Sequence, residues 1–105
     1  MKKIDIKNEY LEIIKDVLQK YLENTGAVVY LFGSRATGNA KPFSDIDLAI
    51  DMQKNRMSVE IEDKIKLALE DTNIPYKIDI VDLNGISKDF KNNIENELVE
   101  LFSFS

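Results

Sequence analysis

Hydrophobic positions recur at helical spacing in three segments of the chain. The first segment predicts a helix over residues 8–24, with Asn8 as its N-cap and Gly26 as its stop signal. The same spacing predicts a helix after Ser58 and a third helix after Ser87, since each serine is suited to cap a helix N-terminus. These segments are separated by short apolar runs, so the chain does not read as a helical bundle.

The apolar runs between the helices have the length and composition of β-strands. They predict strands over residues 27–32, 46–50 and 76–81, and the alternating tail at 101–105 is a candidate fourth strand. The run at 27–32 shows no alternation, which is typical of a strand covered on both faces. Strands that alternate with helices predict an α/β fold, with helices packed on a small sheet of three or four strands.

The segment that joins the first two strands carries most of the candidate chemistry. The first strand ends at Gly33 and Ser34, a pair suited to a tight turn whose backbone N–H groups can approach a phosphate. The second strand is preceded by Asp45 and contains Asp47. Because strand side chains alternate between faces, these carboxylates should project to the same side, with Cα atoms about 7 Å apart. Two carboxylates for a divalent metal beside a phosphate-binding turn indicate phosphoryl or nucleotidyl transfer.

Composition narrows the chemistry that remains possible. A chain of 105 residues suits one domain, and its net charge of −5 argues against a nucleic-acid binder that neutralises phosphates. The chain has no cysteine and no histidine, which excludes disulfides, thiolate sites and histidine-dependent nucleophiles. Carboxylate chemistry is left. No apolar stretch approaches the length of a membrane span, so we expect a cytoplasmic protein.

A two-metal site usually needs a third carboxylate, and Asp79 is the best candidate. It lies within the apolar third strand, where an unpaired aspartate would be costly, although pairing with Lys77 at a strand edge is the simpler alternative. Asp82 follows at the strand exit and is expected to form a turn. Asp51 has the same parity as Asp45 and Asp47, but we expect it to be solvated. Those two aspartates have their own alternative role, as solvent-facing residues beside a turn.

Arg35 follows the Gly-Ser pair and is a candidate phosphate ligand. A guanidinium beside a phosphate-binding turn would bind a triphosphate, whereas a surface salt bridge is the alternative. Lys41 is a weaker candidate for the same role. Gly33 and Ser34 taken alone would indicate only a strand-to-helix turn; their spacing to the aspartate pair makes them informative.

Four segments together resemble a known family. They are residues 33–38 (GSRATG), 44–50 (SDIDLAI), 76–83 (YKIDIVDL) and 86–90 (ISKDF). The pattern resembles the minimal nucleotidyltransferases of the DNA polymerase beta superfamily. The resemblance implies a polymerase beta palm-like fold with a small mixed sheet, formed as a single nucleotidyltransferase domain over residues 1–105. It also implies that the chain is the antitoxin of a HEPN-domain toxin.

The resemblance further implies a role for each matching residue. Asp45 and Asp47 would bind two Mg²⁺ ions, and Asp79 would complete the metal site and help activate the attacking hydroxyl. Gly33 and Ser34 would bind the phosphates of ATP. The reaction implied is transfer of AMP to a tyrosine hydroxyl of the toxin.

Two alternative functions stay open. The sequence also departs from the family pattern at one position, Lys41. The chain could be a catalytically silent antitoxin that neutralises its partner by binding, or a nucleotidyltransferase for a small molecule such as an aminoglycoside. Small-molecule enzymes of this kind usually carry an additional domain to hold the acceptor. Family members often have arginine where this chain has Lys41, and an ammonium binds phosphate less directionally than a guanidinium.

Overall fold

A computed structural model describes residues 4–104 of the chain. The helices and strands alternate as the hydrophobic pattern predicts. The helices are α1 (Asn8–Leu22), α2 (Ser34–Thr37), α3 (Val59–Glu70) and α4 (Lys88–Ile94), followed by a 3-10 helix (Glu95–Glu97). The strands are β1 (Ala27–Phe32), β2 (Ile46–Asp51), β3 (Ile78–Asp82) and β4 (Val99–Phe104). Within the described residues, no helix is long and apolar enough to cross a membrane.

The strands form one mixed four-stranded sheet in the order β3-β2-β1-β4. β1 lies antiparallel to both β2 and β4, whereas β2 and β3 are parallel. The parallel pair requires a crossover, which α3 provides. The α/β fold with a small mixed sheet is therefore confirmed.

The two faces of the sheet are covered differently. One face packs against α1 and α3 and forms the main core, which includes Ile14, Leu18, Leu48, Ile50 and Ile65, all with 0% exposure. The opposite face carries a smaller buried cluster near α4, formed by the four residues Phe32, Ala49, Leu83 and Ile94. Because the large core lies under the long helices, the opposite face has room for polar side chains.

Both predicted serine caps are confirmed, but the start of the first helix is not. The hydroxyl of Ser58 accepts a hydrogen bond from the Ile61 N–H, and that of Ser87 accepts one from the Phe90 N–H. Asn8, in contrast, is the first helical residue of α1 and not its cap; Lys7 occupies the cap position without a side-chain hydrogen bond.

The predicted helix over residues 8–24 ends earlier, at Leu22. The turn that follows places Asn24 at φ 64° and Gly26 at φ 80°, and the Gly26 N–H donates to the Phe104 carbonyl oxygen of β4. Gly26 therefore does not end the helix itself; it ends the turn of several residues that follows the helix.

Strand bounds differ from the prediction where a partner strand begins or bulges. β3 starts at Ile78 and not at Tyr76, because its neighbour β2 begins at Ile46, the residue paired with Ile78. β4 starts two residues before the predicted tail strand, and its pairing with β1 shifts register between Val29 and Tyr30. The last residue of the predicted 101–105 strand lies outside the described residues.

Candidate functional site

The sheet register brings Asp47 and Asp79 side by side. The two residues are Cα partners on the parallel strands β2 and β3. Neighbouring strands lie about 4.8 Å apart, and aligned residues project to the same face. Ile46 and Leu48 flank Asp47 and are fully buried under the helices, so the Asp47 carboxylate lies on the opposite face. Two half-buried carboxylates thus share one patch of the sheet.

Asp47 lies in an unfavourable field for a carboxylate. Its pKa is raised, first by partial burial and then by the negative charges of Asp79, Asp45 and Glu97, while Lys77 acts in the opposite direction. Like charges that face one another disfavour ionisation, and a cation placed among them would remove that penalty. Asp45 lies directly before β2 and is exposed, and it is near enough for its charge to act on Asp47.

The alternative partner of Asp79 is also present. Lys77 Nζ lies 3.6 Å from Asp79 Oδ1, with the two side chains 71% and 44% exposed. An ion pair this exposed contributes little to stability, so it does not fix the carboxylate in place. Asp79 is therefore available to the patch it shares with Asp47.

Gly33 closes the site from the side of β1. Phe32, the last residue of β1, is the partner of Asp47 in the antiparallel register, and Gly33 follows at φ 79° and ψ −160°. Only glycine adopts this backbone region at low cost. A Cβ built on Gly33 would also overlap the Asp47 carboxylate oxygen Oδ2. The glycine predicted for a phosphate-binding turn is thus required for the approach of that turn to the carboxylate.

Arg35 lies where the sequence did not predict it. Its side chain is buried, with 4% exposure, so the alternative of a surface salt bridge is wrong. Nε and Nη2 donate to the Ser44 carbonyl oxygen at 2.9 and 2.8 Å, and Nη1 donates to the Asp5 carbonyl oxygen at 2.8 Å. The guanidinium also stacks on the Tyr76 ring at 4.1 Å. These contacts favour a scaffold role over the predicted phosphate contact.

The contacts of Arg35 join three segments of the site. Arg35 itself belongs to α2, directly after the Gly33 turn; Ser44 precedes Asp45; and Tyr76 precedes β3. One buried side chain therefore links the glycine turn to both strands that carry aspartates. Sequence reasoning found the residue but missed this function, because carbonyl acceptors leave no signature in the sequence.

Glu97 is a residue of this site that sequence reasoning missed altogether. Its Oε1 accepts a hydrogen bond from the Gly33 backbone N–H at 2.8 Å, across 64 residues of chain. Three glutamates, Glu95, Glu97 and Glu100, lie close together in the sequence. Nothing in their spacing distinguishes Glu97, so only its hydrogen bond to the Gly33 N–H reveals it.

The remaining predicted residues lie at the edge of the site or outside it. Ser34 is half-buried at the first position of α2, directly after Gly33. Lys41 is exposed in the loop before β2. Asp82 accepts hydrogen bonds from the backbone N–H groups of Met57 and Asn84, as expected for a turn former. Asp51 is half-exposed, and its carboxylate accepts a hydrogen bond from the Gln53 N–H at 2.7 Å at the exposed end of β2.

The donor set suits Mg²⁺, although the side chains do not converge as a finished metal cage. Carboxylate oxygens are the ligands that Mg²⁺ prefers, and the ion usually keeps several waters, so it needs few protein ligands. Among residues 4–104 no group of three or more acidic side chains is gathered closely enough to hold a metal ion. Asp47 and Asp79 are partners across β2 and β3, Asp45 directly precedes β2, and the carboxylates of all three suit Mg²⁺ chemically.

Comparison with known proteins identifies the family. Residues 12–105 match the family model of the polymerase beta nucleotidyltransferase domain. The chain belongs to this family. Its resemblance to nucleotidyltransferases, read from the sequence motifs, is confirmed, and so is the prediction that it is an enzyme of this class.

Individual relatives agree with that assignment. Over 88 residues, 84% of this chain and 75% of the relative, the sequence is 36% identical to the probable protein adenylyltransferase MntA of Haemophilus influenzae. A solved structure of a candidate minimal nucleotidyltransferase has a TM-score of 0.64 and 27% identity, with 87% of this chain and 88% of that chain covered.

A crystal structure of a toxin–antitoxin with AMP-PNP has the same fold. Its TM-score is also 0.64, at 24% identity, with 88% of this chain and 72% of that chain covered. This likeness supports the architecture of the polymerase beta nucleotidyltransferase domain.

Proposed function

We propose that this chain transfers AMP from ATP to a tyrosine hydroxyl of a HEPN-domain toxin and thereby acts as its antitoxin. The chain would work as one nucleotidyltransferase domain over residues 1–105, in the cytoplasm. The observation that carries the proposal is the pairing of Asp47 with Asp79 beside the Gly33 turn. The protein adenylyltransferase relative supports the type of acceptor, and the toxin–antitoxin structure with the same fold supports the type of partner.

The proposed roles are those that the family resemblance implies, and the fold is compatible with them. Asp47 in β2 and Asp45 directly before it would bind Mg²⁺, and Asp79 would complete the set from the neighbouring strand. Burial raises the pKa of Asp47 most, and the charges of Asp79, Asp45 and Glu97 raise it further; a bound cation would offset those charges, which supports the assignment. When bound, two Mg²⁺ ions supply Lewis-acid polarisation of the α-phosphate and charge stabilisation of the leaving pyrophosphate.

In the proposed reaction the acceptor oxygen attacks the α-phosphorus of ATP. A bond forms between that oxygen and phosphorus, the bond to the pyrophosphate oxygen breaks, and Asp79 accepts the hydroxyl proton. The Gly33 N–H and the Ser34 hydroxyl would bind the β- and γ-phosphates. Arg35 would hold the glycine turn in register with the aspartate strand through the Ser44 carbonyl.

The proposal is tested by following label from ATP onto a HEPN-domain toxin supplied as the acceptor. With Mg²⁺ present, α-labelled ATP should label that protein, whereas γ-labelled ATP should not, because the γ-phosphate leaves with pyrophosphate. Mass spectrometry should locate one added AMP on a tyrosine. Transfer should be lost in Asp47→Asn and Asp79→Asn.

Asp51→Asn is the matched control for those variants. Asp51 lies on the same strand as Asp47 with the same parity, and its replacement removes the same charge four residues away from Asp47. If neither labelled ATP marks the partner while toxicity is still suppressed, the proposed enzyme activity is wrong and the chain is an occluding antitoxin. Label transferred to an aminoglycoside instead would identify a small-molecule enzyme.

A further inference from the structure

The Gly33 backbone N–H is already occupied by an acidic side chain. Glu97 Oε1 accepts its hydrogen at 2.8 Å, and Glu97 is half-buried at the end of the 3-10 helix. Under the proposed function, the same N–H binds a phosphate of ATP. A carboxylate oxygen and a phosphate oxygen are both anionic acceptors, so they compete for this single donor.

The Glu97 carboxylate lies beside the acidic patch, since its partner Gly33 adjoins the Asp47 carboxylate. Its charge adds to those of Asp45 and Asp79 in raising the pKa of Asp47. A fourth carboxylate in an acidic patch increases repulsion, and it would also repel an incoming polyphosphate. The hydrogen bond from the Gly33 N–H holds Glu97 at this place, and charge-assisted bonds of this kind are stronger than neutral ones.

We propose that Glu97 is a positioning residue of the nucleotide site, which holds the Gly33 N–H in the free protein and is displaced by the phosphate of ATP. This inference rests on the proposed function. While nucleotide is absent, Glu97 satisfies the N–H and keeps the turn in the geometry that phosphate requires. When nucleotide binds, the 3-10 helix loses its contact with the turn, so the segment that leads into β4 responds to nucleotide occupancy.

The competition makes an unusual prediction: removal of a site carboxylate should tighten nucleotide binding. Breaking one hydrogen bond to a charged group opposes binding by about 10- to 150-fold. Glu97→Ala should therefore lower the Kd for nucleotide by about tenfold or more. Glu97→Gln should fall between wild type and Glu97→Ala, since the amide oxygen still accepts from Gly33 but carries no charge. A merely structural role would weaken binding or leave it unchanged.

The control is Glu95→Ala, which removes the same charge from the same 3-10 helix. Glu95 is exposed, and its replacement reproduces the change in net charge without touching the contact with Gly33. Binding is measured by calorimetry with Mg²⁺ and the α,β-methylene analogue of ATP, which cannot release pyrophosphate. Glu95→Ala should bind within about twofold of wild type, because exposed charges are strongly screened.

An independent readout comes from the amide signal of Gly33 in a ¹⁵N–¹H spectrum. The signal should shift in Glu97→Ala without ligand, and addition of the analogue to wild type should shift it as well. Equal Kd values for Glu97→Ala and Glu95→Ala, or weaker binding by Glu97→Ala, overturn the inference while leaving the proposed function intact. Absence of binding by wild type and all variants overturns both. If Glu97→Ala does not fold, Glu97→Gln against Glu95→Gln decides the question by the same criteria.

Discussion

Replacement of Gly33 by alanine tests whether the turn and the Asp47 carboxylate are packed as closely as the geometry indicates. The new Cβ meets two obstacles. The backbone at φ 79° and ψ −160° is a region that residues with a side chain rarely adopt, and the Cβ overlaps Asp47 Oδ2. The carboxylate must move away, toward Asp79 or toward solvent, so both stability and the site are disturbed.

Gly38→Ala separates these two effects. Gly38 also has a positive φ, 85°, but a Cβ there would meet nothing within 4 Å. We expect Gly38→Ala to lower the free energy of unfolding by about 1–2 kcal/mol, the usual cost of a left-handed alanine. Gly33→Ala should lose about 3–4 kcal/mol, since forcing atoms into a packed site adds about 1–3 kcal/mol to the backbone strain.

Urea unfolding and AMP transfer measure the two consequences. Transfer by Gly33→Ala should fall about 100-fold, because displacement of a ligand by about 1 Å is enough for such a loss. Transfer by Gly38→Ala should stay within about threefold of wild type at a temperature where both variants are folded. Equal destabilisation by the two substitutions, with transfer retained in Gly33→Ala, would refute the close approach of Gly33 to Asp47.

Further predictions concern the scaffold, the charge patch and a helix cap. Arg35→Lys keeps the charge but cannot reach the Ser44 and Asp5 carbonyls together, so the free energy of unfolding should fall by about 2 kcal/mol in urea titrations, with transfer reduced as well. Without metal, Asp47→Asn should be more stable than wild type at neutral pH. Folding raises the pKa of Asp47, so the wild type loses stability as this carboxyl group ionises. The free energy of unfolding of the wild type, relative to that of Asp47→Asn, should therefore fall as the pH rises from the ordinary carboxyl pKa through the raised one. Unfolding measured at several pH values in the presence of a chelator checks this sign. Ser58→Ala removes the cap of α3 and should lower the unfolding free energy by about 1 kcal/mol, with transfer unchanged.

Much of the architecture could be predicted because local signals and tertiary packing agree. The apolar runs mark the strands, and the caps at Ser58 and Ser87 depend on hydrogen bonds to residues only three positions away. The period of a strand predicts a common face for Asp45 and Asp47, and the structure places Asp47 in β2 with Asp45 directly before it. The prediction for Asp79 needed one more argument: an unpaired aspartate inside an apolar strand is costly, so such a residue is expected to have a partner or a ligand.

The misses share a different cause. Arg35 was expected to bind phosphate because guanidinium groups do so, yet its donors bond to the carbonyls of Ser44 and Asp5. Any residue can supply a carbonyl, so the sequence carries no mark of these partners. Glu97 was missed because its partner is the Gly33 N–H, another group common to nearly every residue. Side chains that bond to backbone far along the chain are the part of a site that sequence patterns leave out.

Repulsion among the site carboxylates disfavours the folded chain when no ligand is bound. The proposed ligands would relieve that repulsion. Asp47 is half-buried beside like charges, which a cation would neutralise. The Gly33 N–H is held by Glu97, a carboxylate that adds to the same repulsion and that a phosphate would replace. Mg²⁺ would neutralise the carboxylates, and the nucleotide phosphate would displace Glu97 from the same patch. Each ligand should therefore bind more tightly in the presence of the other. If Mg²⁺ and the ATP analogue bound independently, the acidic patch and the glycine turn would not form one site.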